Sequence, residues 1–176
     1  MAKKDHFDEI QPDFKTYYPN IVPTKDSSYY KDKSTGKICE KEQSNLYKVF
    51  IESFSEHLKN ELEANSKFPT KKELFIFIVQ YFISPKAYQS YDLDNMAKTI
   101  LDVLKIRCYE DDGQVKLLLV YKKQCDERVK GDHAYISVRI FNDDRDLKIV
   151  KEAGLEKAVT SYQEKISSIQ KTFKTL

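Results

Sequence analysis

From Asn45 to about Ser66, apolar residues return at three- and four-residue steps: Leu46, Val49, Phe50, Phe54, Leu58 and Leu62, with Lys48, Glu52, Glu56, Lys59 and Glu61 between them. That spacing predicts an amphipathic helix with Ser44 as its N-cap, finished before Pro69. After a basic turn, KFPTKK, the period changes. Leu74 to Phe82 is a continuous run rich in Ile, Val and Phe, too short for a typical helix, and predicts a central strand covered on both faces. From Asn95 to Lys105 the helical period returns through Met96, Ile100, Val103 and Leu104. Val115, Leu117, Leu119 and Tyr121 then alternate along QVKLLLVYKK, and AYISVRIF alternates again; together they predict an antiparallel hairpin with a basic tip.

The two ends follow other rules. Residues 1–42 carry Pro12, Pro19 and Pro23 and lysines at 25, 31, 33 and 37 that could touch phosphate, with weak periodicity, and are expected to form a partly ordered arm, with a short strand or two as the alternative. Residues 43–143 form the core. Residues 144–176 form an extra C-terminal helix in which Leu155, Val159, Tyr162, Ile166, Ile169, Phe173 and Leu176 alternate four- and three-residue steps. Such a seam suits either packing on the domain's own core or a short coiled coil between two copies. The element order is α+β, with a small mixed or antiparallel sheet and two packed helices.

At 176 residues, 40% hydrophobic and 33% charged, the chain can bury one core without disulfides or structural metal. A formal charge of +2 confines any basic surface to local patches. Three widely spaced cysteines, Cys39, Cys108 and Cys125, read as ordinary thiols in a reducing compartment. His57, on the partly apolar side of the first helix, reads as a packed or surface imidazole. The N-terminus has no apolar run of the signal-peptide kind, and the most apolar stretch is too short to span a bilayer, so a soluble cytoplasmic protein is expected.

The chemistry concentrates in YDLDNMAKTILDVLKIRCYEDDGQ, Tyr91 to Gln114. Asp92 and Asp94 open it, Asp111 and Asp112 close it, and the helix between them is expected to bring the two pairs together. Carboxylates held close need a cation, and a hard divalent ion suits oxygen ligands. A calcium loop counted from Asp92 fails, because Ala97 stands where the turn glycine belongs and Val103 where the bidentate glutamate belongs. No HExxH, GxSxG, Walker or dinucleotide-binding signature occurs. With three His a Ser-His-Asp triad stays open, though no motif points to one; the carboxylate cluster suits metal-assisted phosphodiester cleavage with Lys98 beside the transition-state charge, set against helix capping by Asp94 and a modest Asp94–Lys98 helix pair.

DLDNMAKTILDVL followed by YEDDGQV resembles the signature of the RusA-type Holliday junction resolvases, small homodimeric endonucleases often carried by phages and prophages. The resemblance runs from Tyr91 to Ile140. It implies a Mg²⁺-dependent enzyme, with Mn²⁺ as a possible substitute, that nicks two opposed strands of a four-way DNA junction. Its metal-binding aspartates fall on Asp92, Asp94 and Asp112 and its catalytic lysine on Lys98, with Asp111 in support and Asp102 orienting Lys98. Strand alternation would turn Asp112 away from Asp111, alongside Gln114 and Lys116. DNA phosphates are expected to meet Lys122, Lys123, Arg128, Lys130, Lys71, Lys72 and Lys86. The resemblance also implies bacterial or phage origin. Family members commonly place arginines directly before DLDN, where this chain has Ala87 to Tyr91, and their N-terminal strand has no clear counterpart in residues 1–42. A nuclease for other branched DNA, and a catalytically weak DNA-binding or scaffolding protein of the same fold, are the alternatives.

Overall fold

The computed structural model describes residues 11–24, 29–40, 42–125 and 131–154. It divides into two compact units, Met1–Ile140 and Phe141–Leu176.

The first unit is built on a four-stranded sheet in the order β1-β6-β4-β5, comprising β1 (Phe14–Tyr18), β4 (Leu74–Phe82), β5 (Val115–Gln124) and β6 (His133–Ile140). β4 pairs with β5 in parallel and with β6 antiparallel, so the sheet is mixed and β4 is central, as its unbroken apolar run predicts. The expected β5–β6 hairpin does not form. Both alternating strands pair with β4 instead, one along each edge, which satisfies the backbone N–H and C=O groups on both sides of the central strand.

The N-terminal segment contains the short strands expected as the alternative to an arm. Phe14 to Tyr18 is an edge strand paired with Val138 to Ala134, and its Phe14 and Thr16 are buried. Asp13 fastens its entry: one carboxylate oxygen accepts from the Ile140 amide at 2.8 Å and the other meets the Lys67 ammonium. A separate two-stranded hairpin, β2 (Tyr29–Lys31) with β3 (Ile38–Glu40), turns through Gly36, whose φ of +69° favours glycine.

Helices α1 (Asn45–Leu62) and α3 (Leu93–Arg107) cover one face of the sheet. Ser44 caps α1 by accepting from the Tyr47 amide at 3.2 Å. Phe50, Phe54, Leu58 and Leu62 are buried, whereas Leu46 and Val49, on the same predicted stripe, are exposed. The core joins these rings to Ile76, Ile78, Phe82, Met96, Ile100, Leu104 and Ile136; burying each such side chain contributes about 1.5–3 kcal/mol. His57 is a surface imidazole, stacked on Phe54 with Thr16 Oγ1 at 3.1 Å and Glu61 Oε2 at 3.3 Å. Gln80, polar within the central strand, is satisfied by accepting from the Val22 amide at 3.0 Å and donating to the His133 carbonyl at 3.0 Å.

In the second unit, α4 (Asp143–Glu152) starts at Asn142, whose side chain accepts from the Arg145 amide, and Asp146 pairs with Arg145 at 2.9 Å. The heptad positions from Leu155 onward lie outside the described residues, as do Arg128 and Lys130.

Candidate active site

After β4, Ser84 caps the short helix α2 (Pro85–Ser90) and the chain enters α3 at Asp92. Asp92 is the N-cap by position, yet its carboxylate makes no capping bond; its contact is the Asn95 side-chain amide at 3.5 Å. Asp94 and Lys98 stand one helical turn apart, both exposed, and neither makes a hydrogen bond or ion pair among the described residues. Capping therefore does not occupy Asp94, and the expected helix pair with Lys98 is not made. Both line an open cleft of about 560 Å³ between α3 and β5, walled by Leu93, Ala97, Leu101, Leu118 and Val120. An aspartate and a lysine lining an apolar cleft, unengaged by the fold, can act on a ligand.

Lys122 fixes this end of the site. Its ammonium donates to the Tyr88 carbonyl at 2.7 Å and to the Tyr91 carbonyl at 2.9 Å, and stands 4.9 Å over the Tyr88 ring. Expected as a phosphate contact, it holds the segment that delivers Asp92. Lys123, next along β5, is exposed and stands 5.9 Å from the Tyr81 ring; Lys86 is exposed on α2.

The second acidic pair sits at the other end of α3. A helix of 15 residues is about 22 Å long, and α3 runs antiparallel to β5: its start lies against Lys122, whereas its last turn supplies Lys105, whose ammonium is 3.1 Å from Asp112 Oδ2. Burial, and after it the charge of Asp112, pushes the Tyr109 phenol upward. The close approach expected of the two pairs is not made within the chain. Among the described residues, no three Asp, Glu, His or Cys side chains gather where they could hold a metal ion, so Asp92, Asp94 and Asp112 of one chain do not fit a single Mg²⁺.

DDGQ is a capped turn rather than the start of an alternating strand, so parity does not separate its two aspartates. Asp111 Oδ1 accepts from the Gly113 amide at 2.7 Å, and Asp112–Gln114 forms a single 3-10 turn. Gln114, which sequence reasoning left without a task, is the clamp. Its Oε1 accepts from the amides of Glu110 and Asp111, both at 2.8 Å, and its Nε2 donates to the carbonyls of Thr70 at 2.7 Å and Lys72 at 3.1 Å. One side chain thus ties the acidic turn to the strand entry before β4. Lys71 lies 3.7 Å from Glu110, and Lys72 is exposed at the same end. Asp102, expected to orient Lys98, instead accepts from the Tyr47 hydroxyl at 3.2 Å and links α3 to α1.

The family model described as endodeoxyribonuclease RusA matches residues 20–141, from the turn after β1 to the end of β6. The chain belongs to the RusA endodeoxyribonuclease family. The match covers both acidic pairs, Lys98 and the Gln114 clamp, and places the chain among nucleases. No curated protein matches the sequence. Among the described residues no helix is long and apolar enough to cross a membrane.

Proposed function

We propose that this RusA-family chain is a structure-selective endonuclease that resolves four-way DNA junctions by paired symmetric nicks, working as a homodimer with Mg²⁺ or Mn²⁺. The observation that carries the reading is the unengaged Asp94–Lys98 pair on the rim of the α3–β5 cleft, beside a non-capping Asp92, within the family's matched region. Lys98 supplies a fixed positive charge where negative charge gathers on a phosphate, and Asp92 and Asp94 supply oxygen ligands.

Among the described residues one chain does not assemble three carboxylates, and two nicks require two sites. A second copy answers both needs if its Asp112 comes to the Asp92–Asp94 end of the first. Mixing Asp94→Asn and Asp112→Asn chains tests this arrangement. Each mutant alone is inactive; in the mixed dimer one composite site is intact, so single-strand nicking returns. If mixing restores nothing while both variants remain dimeric, the composite site is wrong.

The separation of Asp112 from Asp92 and Asp94 also favours a second reading, a catalytically weak DNA-binding protein of the same fold. Junction binding without metal-dependent nicking by the unmutated chain would establish it.

A further inference from the structure

The sheet has a second face, turned away from α3 and Asp94, that the nuclease site does not use. The register fixes which side chains share it. Tyr17 on β1 lies opposite Tyr135 on β6, Tyr135 opposite Val79 on β4, and Val79 opposite Tyr121 on β5, so one row crosses all four strands with three tyrosines in it. The flanking rows add Phe77, whose ring is 6.2 Å from that of Tyr135, and Tyr81, stacked on His133 at 4.5 Å and 13°.

Charge on this face has one sign. Lys15 shares the row of Phe77, Lys123 lies opposite Tyr81, and Arg139 stacks on Phe75 at 4.6 Å. Among the described residues no Asp or Glu occupies a position of the four strands on this face, in a chain with 28 acidic residues. The face is accessible at its edges, where Tyr17 is 55% and Tyr121 42% exposed, while Val79, Phe75 and Arg139 are buried.

Aromatic rings spaced across a sheet, with cations and without anions, suit an anionic polymer whose flat groups can stack, and poorly suit duplex DNA, whose bases are already stacked inside. We propose that this face binds unpaired bases of single-stranded DNA, with Tyr17, Tyr135 and Tyr121 as the stacking row and Lys15 and Lys123 on the phosphates. β5 is the edge between the two functions: Tyr121 and Lys123 point to this face, and Val120 and Lys122 to the side of the cleft. A strand unpaired at a branch can pass over that edge from the cleft to the tyrosine row. The proposal goes beyond the nuclease reading and is independent of metal and cleavage.

The chain has 12 tyrosines and no tryptophan, so tyrosine emission reports stacking directly. The full chain is titrated in EDTA with fluorescein-labelled oligothymidylate, and with duplex of the same length, following anisotropy and tyrosine quenching. Oligothymidylate is expected to bind more tightly than duplex and to quench. Tyr17→Ala and Tyr121→Ala should each weaken it about tenfold, Lys123→Gln should flatten the salt dependence, and Leu46→Ala, at an exposed position of α1, should change nothing. Unchanged affinity and quenching in the Tyr17→Ala/Tyr121→Ala double variant would overturn the proposal, as would equal binding of duplex. So would sedimentation showing that the double variant separates copies that the unmutated chain holds together, since the face would then be a protein interface. Loss of junction nicking with single-strand binding intact would count against the nuclease reading alone.

Discussion

The Lys105 ammonium lies 3.1 Å from Asp112 Oδ2, holding the acid beside the last turn of α3 while Asp92 and Asp94 stand at its first. The pair is exposed, at 40% and 70% of the two side chains, so it contributes at most about 1 kcal/mol to stability. It does hold Asp112 in a charge contact that a metal would replace. Lys105→Gln should leave urea unfolding nearly unchanged and lower the Mg²⁺ concentration for half-maximal nicking. A large loss of stability with unchanged metal dependence would show that the pair serves the fold.

Gln114 has the opposite balance. Its amide serves two N–H donors and two carbonyls across two segments distant in sequence. Gln114→Ala leaves them to solvent or unpaired and should cost about 2–3 kcal/mol in urea unfolding. Gln114→Glu retains the acceptor but sets a carboxylate oxygen against the Thr70 and Lys72 carbonyls, and should recover little.

Lys122 and Lys123 are neighbours with different tasks. Lys122→Met removes both bonds to the Tyr88 and Tyr91 carbonyls, which should destabilise the protein by about 1.5–3 kcal/mol and impair nicking through a displaced Asp92. Lys123→Gln should leave the melting temperature in place. Equal stability loss in both variants would contradict this division.

Burial pushes the Cys108 thiol from 9.0 up to about 12. A folded-state pKa above the unfolded one gives stability that is complete below the unfolded pKa and is lost as pH rises through the folded one. Unfolding free energy should therefore fall between about pH 9 and 12, by up to about 1.4 kcal/mol per unit from this group, and Cys108→Ala should flatten that decline. Burial pushes Tyr18 and Tyr109 in the same direction, so some slope should persist.

Local pattern made much of this fold readable. Ser44, the Phe50–Phe54–Leu58–Leu62 stripe and the run Leu74–Phe82 announce their elements because capping and burial act over a few residues. β1 was hidden because its partner is more than a hundred residues away and its inward side chains include Thr16 as well as Phe14. Alternation marks β5 and β6 as strands but does not choose their partner, and both went to β4. The candidate acids stand out in the sequence, and their separation does not. DLDN and DDGQ carry them, yet the length of α3 keeps the two pairs at opposite ends, a separation measurable from the residue count between them. Lys122 counted as basic surface in sequence, and only the fold shows it bonded to two carbonyls.

The central claim is that Asp94 belongs to a junction-cleaving centre. The direct measurement compares cutting of a synthetic four-way junction with cutting of linear duplex, with Mg²⁺ or EDTA, by the unmutated chain and by Asp94→Asn. Symmetric nicks in opposed strands of the junction, absent in EDTA and reduced about a hundredfold or more in the mutant, are the predicted result. Equal cutting of linear duplex would contradict the junction specificity, and undiminished cutting by Asp94→Asn would contradict the site.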